Sequence, residues 1–518
     1  GLQVAPDSPA LLAMQRLEAS GTSTDAMLAA LASLAADESA SAGLRELTDA
    51  VEEFSRGRLG TSDLIARLEK ITTNHPAEFA PWNLLSNLQL AQSQPDRAVR
   101  TALQAMRVIP GDPRPAQMAS EVLEVLGRFD EAMGPARAWR DRSPANPLPA
   151  EIAMARLSLR AGRPADAASM LAPRRNAILQ NPATSLDDAI VLCWATAAAG
   201  SPEDRRTILA RTSEGGAWAS AAVTTATLVA DPVRARDWLR LVASQASLGN
   251  DLAAHSSLAE LLLKQGDHAA AQRAARALVD AADADDGASA LQRGLARDLL
   301  ARALLALADP DAAVRALDEA LALLPDDPTL LTRKAEALLH RSDRAGADAV
   351  LARLRPEHDP ATRMLMLAER LPEPADARWL YERVIERDGN DVRALNNLAH
   401  HLLQHAGDAA EAVELARRAA DLARRDPSGA GLGSIQETLG MAFLAADRPQ
   451  EAADAFRFGI DRAGAAPDLL LGLAEALTRL GRTDEARQWL DRIDPRAREA
   501  LPPPQKVRYD RLATALDQ

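Results

Sequence analysis

Pro110-Gly111-Asp112-Pro113 and, thirty-four residues later, Pro144-Ala145-Asn146-Pro147 mark the chain with the same four-residue step, and Pro325-Asp326-Asp327-Pro328 repeats it farther on. Each step closes a pair of helical segments that carry small residues at fixed offsets. Self-similarity at this period is the signature of a solenoid, because one helical hairpin cannot bury its apolar face alone and must stack on its neighbours. The fold class that follows is all-α: an α-solenoid of stacked helix-turn-helix hairpins.

The bulk composition agrees. At 518 residues the chain exceeds the size at which one hydrophobic core stops growing, a limit that a repeat array escapes. Hydrophobic residues make up 47% of the chain but aromatics only 3%, so the apolar content is mostly Ala and Leu, both strong helix formers suited to close helix packing. The 31 prolines and 27 glycines fall mainly between hairpins, where they punctuate helices without breaking them.

Net charge is −13, spread over short acidic and basic alternations. Nucleic acid is excluded as a partner on this ground, since phosphate binding needs a concentrated basic face, whereas the arginines here sit three or four residues from an acid on the same helix. Lys70, Lys264, Lys334 and Lys506 are the only lysines among 60 basic residues, an arginine skew that hints at a GC-rich bacterial genome. Cys193 is the single cysteine, which rules out an internal disulfide and a cysteine-based metal site. No run of apolar residues is long enough to span a membrane. The chain starts Gly1-Leu2-Gln3-Val4, so a signal or anchor removed upstream is compatible with it, and both the bacterial periplasm and the cytoplasm stay open as compartments.

The clearest unit holds Trp82, Leu85, Ser86 and Gln89 on its first helix and Ala98, Ala102 and Ala105 on its second, ending at Pro110. Counted from Phe79, this resembles the tetratricopeptide repeat family, whose pattern has a bulky residue at position 4, Leu at 7, a small residue at 8, Ala at 20 and 27 and Pro at 32. Positions 8 and 20 are where the two helices of a hairpin cross, and only small residues let them approach. The same frame is sharpest at Leu300, Ala301, Leu304, Ala313, Leu317, Ala320 and Pro325. It continues through Ala335 and Ala347, Leu395 to Ala399, Leu439-Gly440 with Ala452 and Phe456, and Ala474 with Ala486. The resemblance implies a right-handed superhelix. It divides the chain into N-terminal helices or a cap (1–40), repeats (41–182), degenerate helical repeats (183–250), repeats again (251–500) and a C-terminal capping helix (501–518).

Motifs that could carry chemistry read more simply as structure. His400, His401 and His405 crowd one helix, but the glutamate of His-Glu-x-x-His is missing, and they read as surface or groove-lining residues. Gly429-Ala430-Gly431-Leu432-Gly433 lacks the preceding strand of a phosphate cradle and reads as a turn. Cys193 sits between Leu192 and Trp194 as a small hydrophobe. Asp326-Asp327 and Asp285-Asp286 fall in turns, where capping explains them, and the scattered tryptophans fall mostly at core positions. No catalytic, cofactor-binding or metal-ligating residue is nominated.

In the family that the chain resembles, first helices of successive hairpins line a concave groove, with positions 2, 5, 9, 12 and 13 facing it. Those slots hold Asn83 and Asn87; Arg114, Gln117, Glu121 and Glu124; Asp298 and Arg302; Glu336 and His340; and Arg393, Asn396, His400 and Gln404. Asparagine amides both donate and accept, which suits the backbone of an extended peptide. Lysines that clamp a terminal carboxylate in some family members are replaced here by Asn or acids, favouring an internal or folded segment. The expected function is therefore a non-enzymatic scaffold or adaptor that binds a partner protein or peptide in the groove, with self-association also open. Two alternatives stand beside it: a periplasmic assembly subunit of a bacterial envelope or exopolysaccharide secretion system, and the recognition half of a larger enzyme.

Overall fold

The computed structural model describes residues 41–212, 217–245, 248–249, 251–425 and 431–516. The helices expected within 1–40, and residues 429 and 430 of the glycine-rich turn, lie outside them. Among the described residues there is no strand. The chain divides into two compact units, Gly1–Ala288 and Ser289–Gln518.

The first unit runs α1 (Ala42–Ser55), α2 (Thr61–Asn74), α3 (Phe79–Ala91), α4 (Pro95–Val108), α5 (Arg114–Val125), α6 (Phe129–Arg142), α7 (Leu148–Arg160) and α8 (Pro164–Leu171). It continues through α9 (Arg175–Gln180), α10 (Leu186–Ala199), α11 (Pro202–Arg211), α12 (Ala217–Leu228), α13 (Pro232–Gln245), α14 (Leu252–Lys264) and α15 (His268–Ala284). The second holds α16 (Ala290–Ala306), α17 (Pro310–Leu323), α18 (Pro328–His340), α19 (Arg344–Leu351), α20 (Pro360–Ala368), α21 (Pro374–Arg387) and α22 (Val392–His401). After α22 come α23 (Ala409–Ala423), α24 (Leu432–Ala445), α25 (Pro449–Ala463), α26 (Pro467–Arg479), α27 (Thr483–Leu490), α28 (Pro495–Glu499) and α29 (Pro503–Leu516).

Most hairpins turn by the same device, the exceptions being α10–α11, α12–α13 and α20–α21. The residue just past the C-cap of the first helix is left-handed, a glycine in several turns, such as Gly127 between α5 and α6 and Gly481 between α26 and α27, but Ser93, Ala308, Ser342 and Asp447 in others. The next amide then reaches back to close the helix end: Arg128 N donates to Leu123 O at 2.9 Å, and Arg482 N to Leu477 O at 2.9 Å. This Schellman closure satisfies carbonyls that a helix end leaves open. Many second helices then start on a side-chain cap, as where Asp309 accepts from Ala312 N and Asp343 from Gly346 N. Asp327 caps the start of α18 in the same way, so this turn acid has the capping role its sequence suggests.

Helices cross on alanine. Ala301 with Ala313, Ala335 with Ala347, and Ala474 with Ala486 are wholly buried, as the period requires. The segment between α10 and α13 is helical but pairs differently: α10 packs more extensively on α12 than on α11, the helix that follows it. Its helix starts are still locally coded, with Ser185 capping α10 and a Ser201–Asp204 capping box opening α11. Trp238 locks α13 onto α12 by donating to Ala222 O at 2.8 Å.

In the second unit successive first helices pack on one another, α16 on α18, α18 on α20, α22 on α24 and α24 on α26, whereas no successive pair of second helices packs as closely. The first-helix side is therefore the inner face.

Candidate functional site

The sequence-selected positions fall in both units. In the first, exposed Asn83 and half-buried Asn87 share α3, with Asn87 Nδ2 donating to Asn83 Oδ1 at 3.3 Å. On α5, Arg114 folds back on Asp112 and lies 5.1 Å over the Phe79 ring, while Gln117 donates to Glu121 at 3.0 Å. Glu124 is nearly sealed from solvent and accepts both guanidinium arms of Arg156, from α7, at 2.8 and 2.9 Å, with Arg160 3.5 Å away.

In the second unit the positions do two different jobs. Asp298 on α16 accepts from Arg333 on α18 at 3.0 Å, and Arg333 also reaches Glu336 at 3.3 Å. Glu336 in turn accepts from Arg370, just past α20, at 3.2 Å. These acids thus join one hairpin to the next. The same one-repeat reach recurs where Arg163 bonds Asp130 at 2.6 Å and Arg344 bonds Asp376 at 2.7 Å. Much of the arginine excess is thereby assigned to links between repeats, in addition to pairs along single helices, and a planar fork suits that bridging better than a lysine point charge.

The remaining positions frame open space. A cleft of about 550 Å³ lies between α20, α22 and α24. Leu365, Met366, Val392 and Ile435 give it apolar walls, and Arg393, Asn396, Asn397 and Ser434 give it polar ones. Met366 is 55% exposed there. Arg393 is braced by Thr362 at 2.7 Å and Asp391 at 3.2 Å. Asn396 Oδ1 is buried yet has no hydrogen-bond donor, leaving an acceptor unsatisfied in the wall.

Beside it a smaller cleft of about 360 Å³ is lined by Glu369, Tyr381, Asn397, His400, His401, Gln404 and His405. The chain widens into a π turn at Leu402–Ala406. The His401 and His405 rings lie 4.7 Å apart, and the Tyr381 ring meets His401 edge-on at 5.8 Å. His400 Nε2 and Gln404 Nε2 are 2.7 Å apart. Burial, then His405, holds His400 and His401 below the usual imidazole range. Among the described residues no three His, Cys, Asp or Glu side chains are grouped to hold a metal ion. Exposed His340 lines a third cleft with Arg344 and Asp376, and half-buried Arg302 stands on α16 apart from all three. Cys193 is fully buried, and burial pushes its thiol up to about 12.

Three groove-frame residues outside the sequence selection stand together at the end of the inner face: Glu437 on α24, and Asp468 and Glu475 on α26. Burial, and then the charge of Asp468, push the Glu437 carboxyl up to about 7, with Arg508 pulling the other way. Repeating the frame from Gly440 and Ala474 as position 8 would have placed these three at groove positions 5, 2 and 9.

This carboxyl predicts a pH dependence. Its folded value lies above its ordinary 4.5, so folding favours the protonated form, and stability falls as pH rises from about 4.5 to about 7. Glu437→Gln should therefore stabilise the second unit at pH 8 by about 1–2 kcal/mol, allowing for solvent screening, and should be neutral at pH 4. Urea melts of both proteins at the two pH values check this.

Stacked antiparallel hairpins with an inner face of first helices define an α-solenoid of the protein-interaction class, and none of the described helices is long and apolar enough to cross a membrane. Family models of the tetratricopeptide repeat match residues 148–173, 252–277, 295–337, 391–463 and 443–507. The chain is a tetratricopeptide multi-repeat protein. Such repeats serve in general as non-catalytic protein-interaction scaffolds. No curated protein matches the sequence. Among solved structures, yeast Tom70 is 14% identical with a TM-score of 0.31, over 92% of this chain and 95% of that one. A Naa15/Naa10 complex bound to HypK-THB is 16% identical with a TM-score of 0.35, over 98% and 77%. PilF of Pseudomonas aeruginosa is 18% identical with a TM-score of 0.27, over 44% and 86%.

Proposed function

We propose that the protein is a non-enzymatic scaffold that holds an extended segment of a partner protein in the cleft between α20, α22 and α24. The observation that carries this reading is one concave wall in which exposed Met366, with Leu365 and Ile435, stands beside Arg393 and Asn396. An apolar side chain of the partner would cover Met366, Leu365 and Ile435, with the polar side chains of Asn396, Asn397 and Ser434 along the same wall. Arg393, already oriented by Thr362 and Asp391, would add a charge-assisted contact to a partner carbonyl or carboxylate.

The test is selection of displayed peptides on the full chain. Peptides so selected should lose about tenfold or more in affinity on Met366→Glu and on Asn396→Ala. They should keep it on Val233→Asp, a change at an exposed site on α13. Equal binding to all four proteins would remove the cleft from consideration.

A further inference from the structure

The Met366 cleft does not end at Asn396. Glu369 and Asn397 line both it and the neighbouring histidine cleft, so the two form one trough that runs from the apolar wall past Asn397 to the π turn. Its far end has a different chemistry. There the walls are His400, His401, Gln404, His405 and Tyr381, which with the Asn397 amide are rich in N–H and O–H donors. Glu369, exposed at the junction, is the one carboxylate among the described residues lining that end. The rings are held in place by their surroundings. His401 donates to the carbonyl of Pro374 at the start of α21, Tyr381 meets it edge-on, and the His405 ring, carried by the π turn, lies 4.7 Å away. Imidazoles so close repel one another when protonated, and an anion seated among them removes the repulsion.

We propose that this end of the trough is a proton-gated subsite for an acidic side chain, Asp or Glu, on the same partner segment whose apolar residue covers Met366. The proposal rests on the scaffold reading above and specifies its ligand. Charge complementarity carries it. Besides Glu369, the charged groups around the rings are already engaged: Arg378 on α21 bonds Glu382 at 2.7 Å and Glu411 of α23 at 3.3 Å, and Asp408 caps α23. Helix α24 brings only Glu437, whose charged neighbours are Asp468 and Arg508. With neutral imidazoles Glu369 leaves the subsite acidic, which repels a second carboxylate; protonated histidines turn it cationic and draw one in. Burial first, and then the charge of His405, hold His400 and His401 below the usual imidazole range in the free chain. A bound carboxylate acts in the opposite direction. The complex therefore holds more protons than the free chain, so affinity rises as pH falls from the raised bound values to the lowered free ones and levels off below them.

The test selects peptides from a random displayed library on the full chain at pH 6, then measures the labelled winners by fluorescence anisotropy at pH 6 and pH 8. They should carry an Asp or Glu beside an apolar residue and bind at least about fivefold more tightly at pH 6. Versions with that acid changed to its amide should bind alike at both pH values, which also controls for Glu437, a group that titrates in the same range. His400→Gln combined with His405→Gln, both at exposed positions, should abolish the pH dependence while circular dichroism matches wild type. Should that variant lose helix, the acid and amide peptides on the wild-type chain still decide. Two failures are distinguishable. If Met366→Glu abolishes binding yet acid and amide peptides bind alike at both pH values, the histidine subsite falls and the scaffold cleft stands. If Met366→Glu leaves binding intact, the cleft falls and the subsite with it.

Discussion

Phe456→Ala should lower the stability of the second unit by about 3–5 kcal/mol, the range for deleting a buried aromatic. Phe456 is wholly buried, at the point where α25 meets both α24 and α26. Two glycines shape its slot. A Cβ placed on Gly440 would stand 2.5 Å from the ring, and one on Gly472 would also fall inside ring contact. The ring thus uses space that exists only because two neighbouring helices lack side chains there. Gly472→Ala should destabilise in the opposite sense, by overpacking, at about 1–3 kcal/mol. Combining it with Phe456→Leu should cost less than the sum of the two, because the smaller side chain vacates the clash. Because repeats contact only their neighbours, hydrogen exchange is the fitting measurement. Amides of α24, α25 and α26 should lose protection while those of α3 to α8 keep theirs; uniform loss along the chain would show that the array does not unfold by segments.

Glu124→Ala should be nearly as costly, at about 2–3 kcal/mol. Its carboxylate side chain is 1% exposed and receives Arg156 bidentately, with Arg160 close by. Removing it takes the bidentate acceptor from the Arg156 guanidinium in a part-dry setting, and that costs more than the ion pair itself is worth. The arginines are themselves 25% and 38% exposed, which keeps the figure below that of a fully buried pair. Glu124→Leu with Arg156→Leu should recover part of the loss. By contrast Asp130→Ala, which breaks an exposed link to Arg163 with side chains 41% and 77% exposed, should change stability by less than about 1 kcal/mol. Denaturant midpoints of the three proteins at low and high salt separate the cases, since only the exposed link should depend noticeably on ionic strength.

The hairpins were legible because their requirements are local. Ala301 and Ala313, or Gly440 and Ala452, are small for a reason that acts within one helix pair, and the spacing between them is fixed by the helix itself. Even between α10 and α13, where the family spacing fails, Ser185, Ser201 and Pro232 begin helices by capping rules that need no knowledge of the neighbours. Which helix packs on which was not legible there, because α10 chooses α12 through Ala-rich faces that carry no distinctive label. The inner face was legible only as a set of positions. Asp298 and Glu336 sit at groove slots by sequence, yet Arg333 and Arg370 engage them from one hairpin away, a distance that a search for partners three or four residues off does not cover. The Met366 wall escaped notice since an exposed methionine is visible only once the helices around it are placed. The meeting of Arg508 with Glu475 depends on a prolyl corner returning the chain onto its own last hairpin.

The hairpin turns have a mechanical consequence. Most are closed by their own backbone bonds around a left-handed residue, so the two rods of such a pair are clamped and have little freedom to scissor. Any adjustment to a guest must then come from slippage between one pair and the next, where arginine forks are the main polar ties. Flexibility in this molecule is thus stored at the joints and not in the tiles, and it can be graded along the array by how many forks each joint carries.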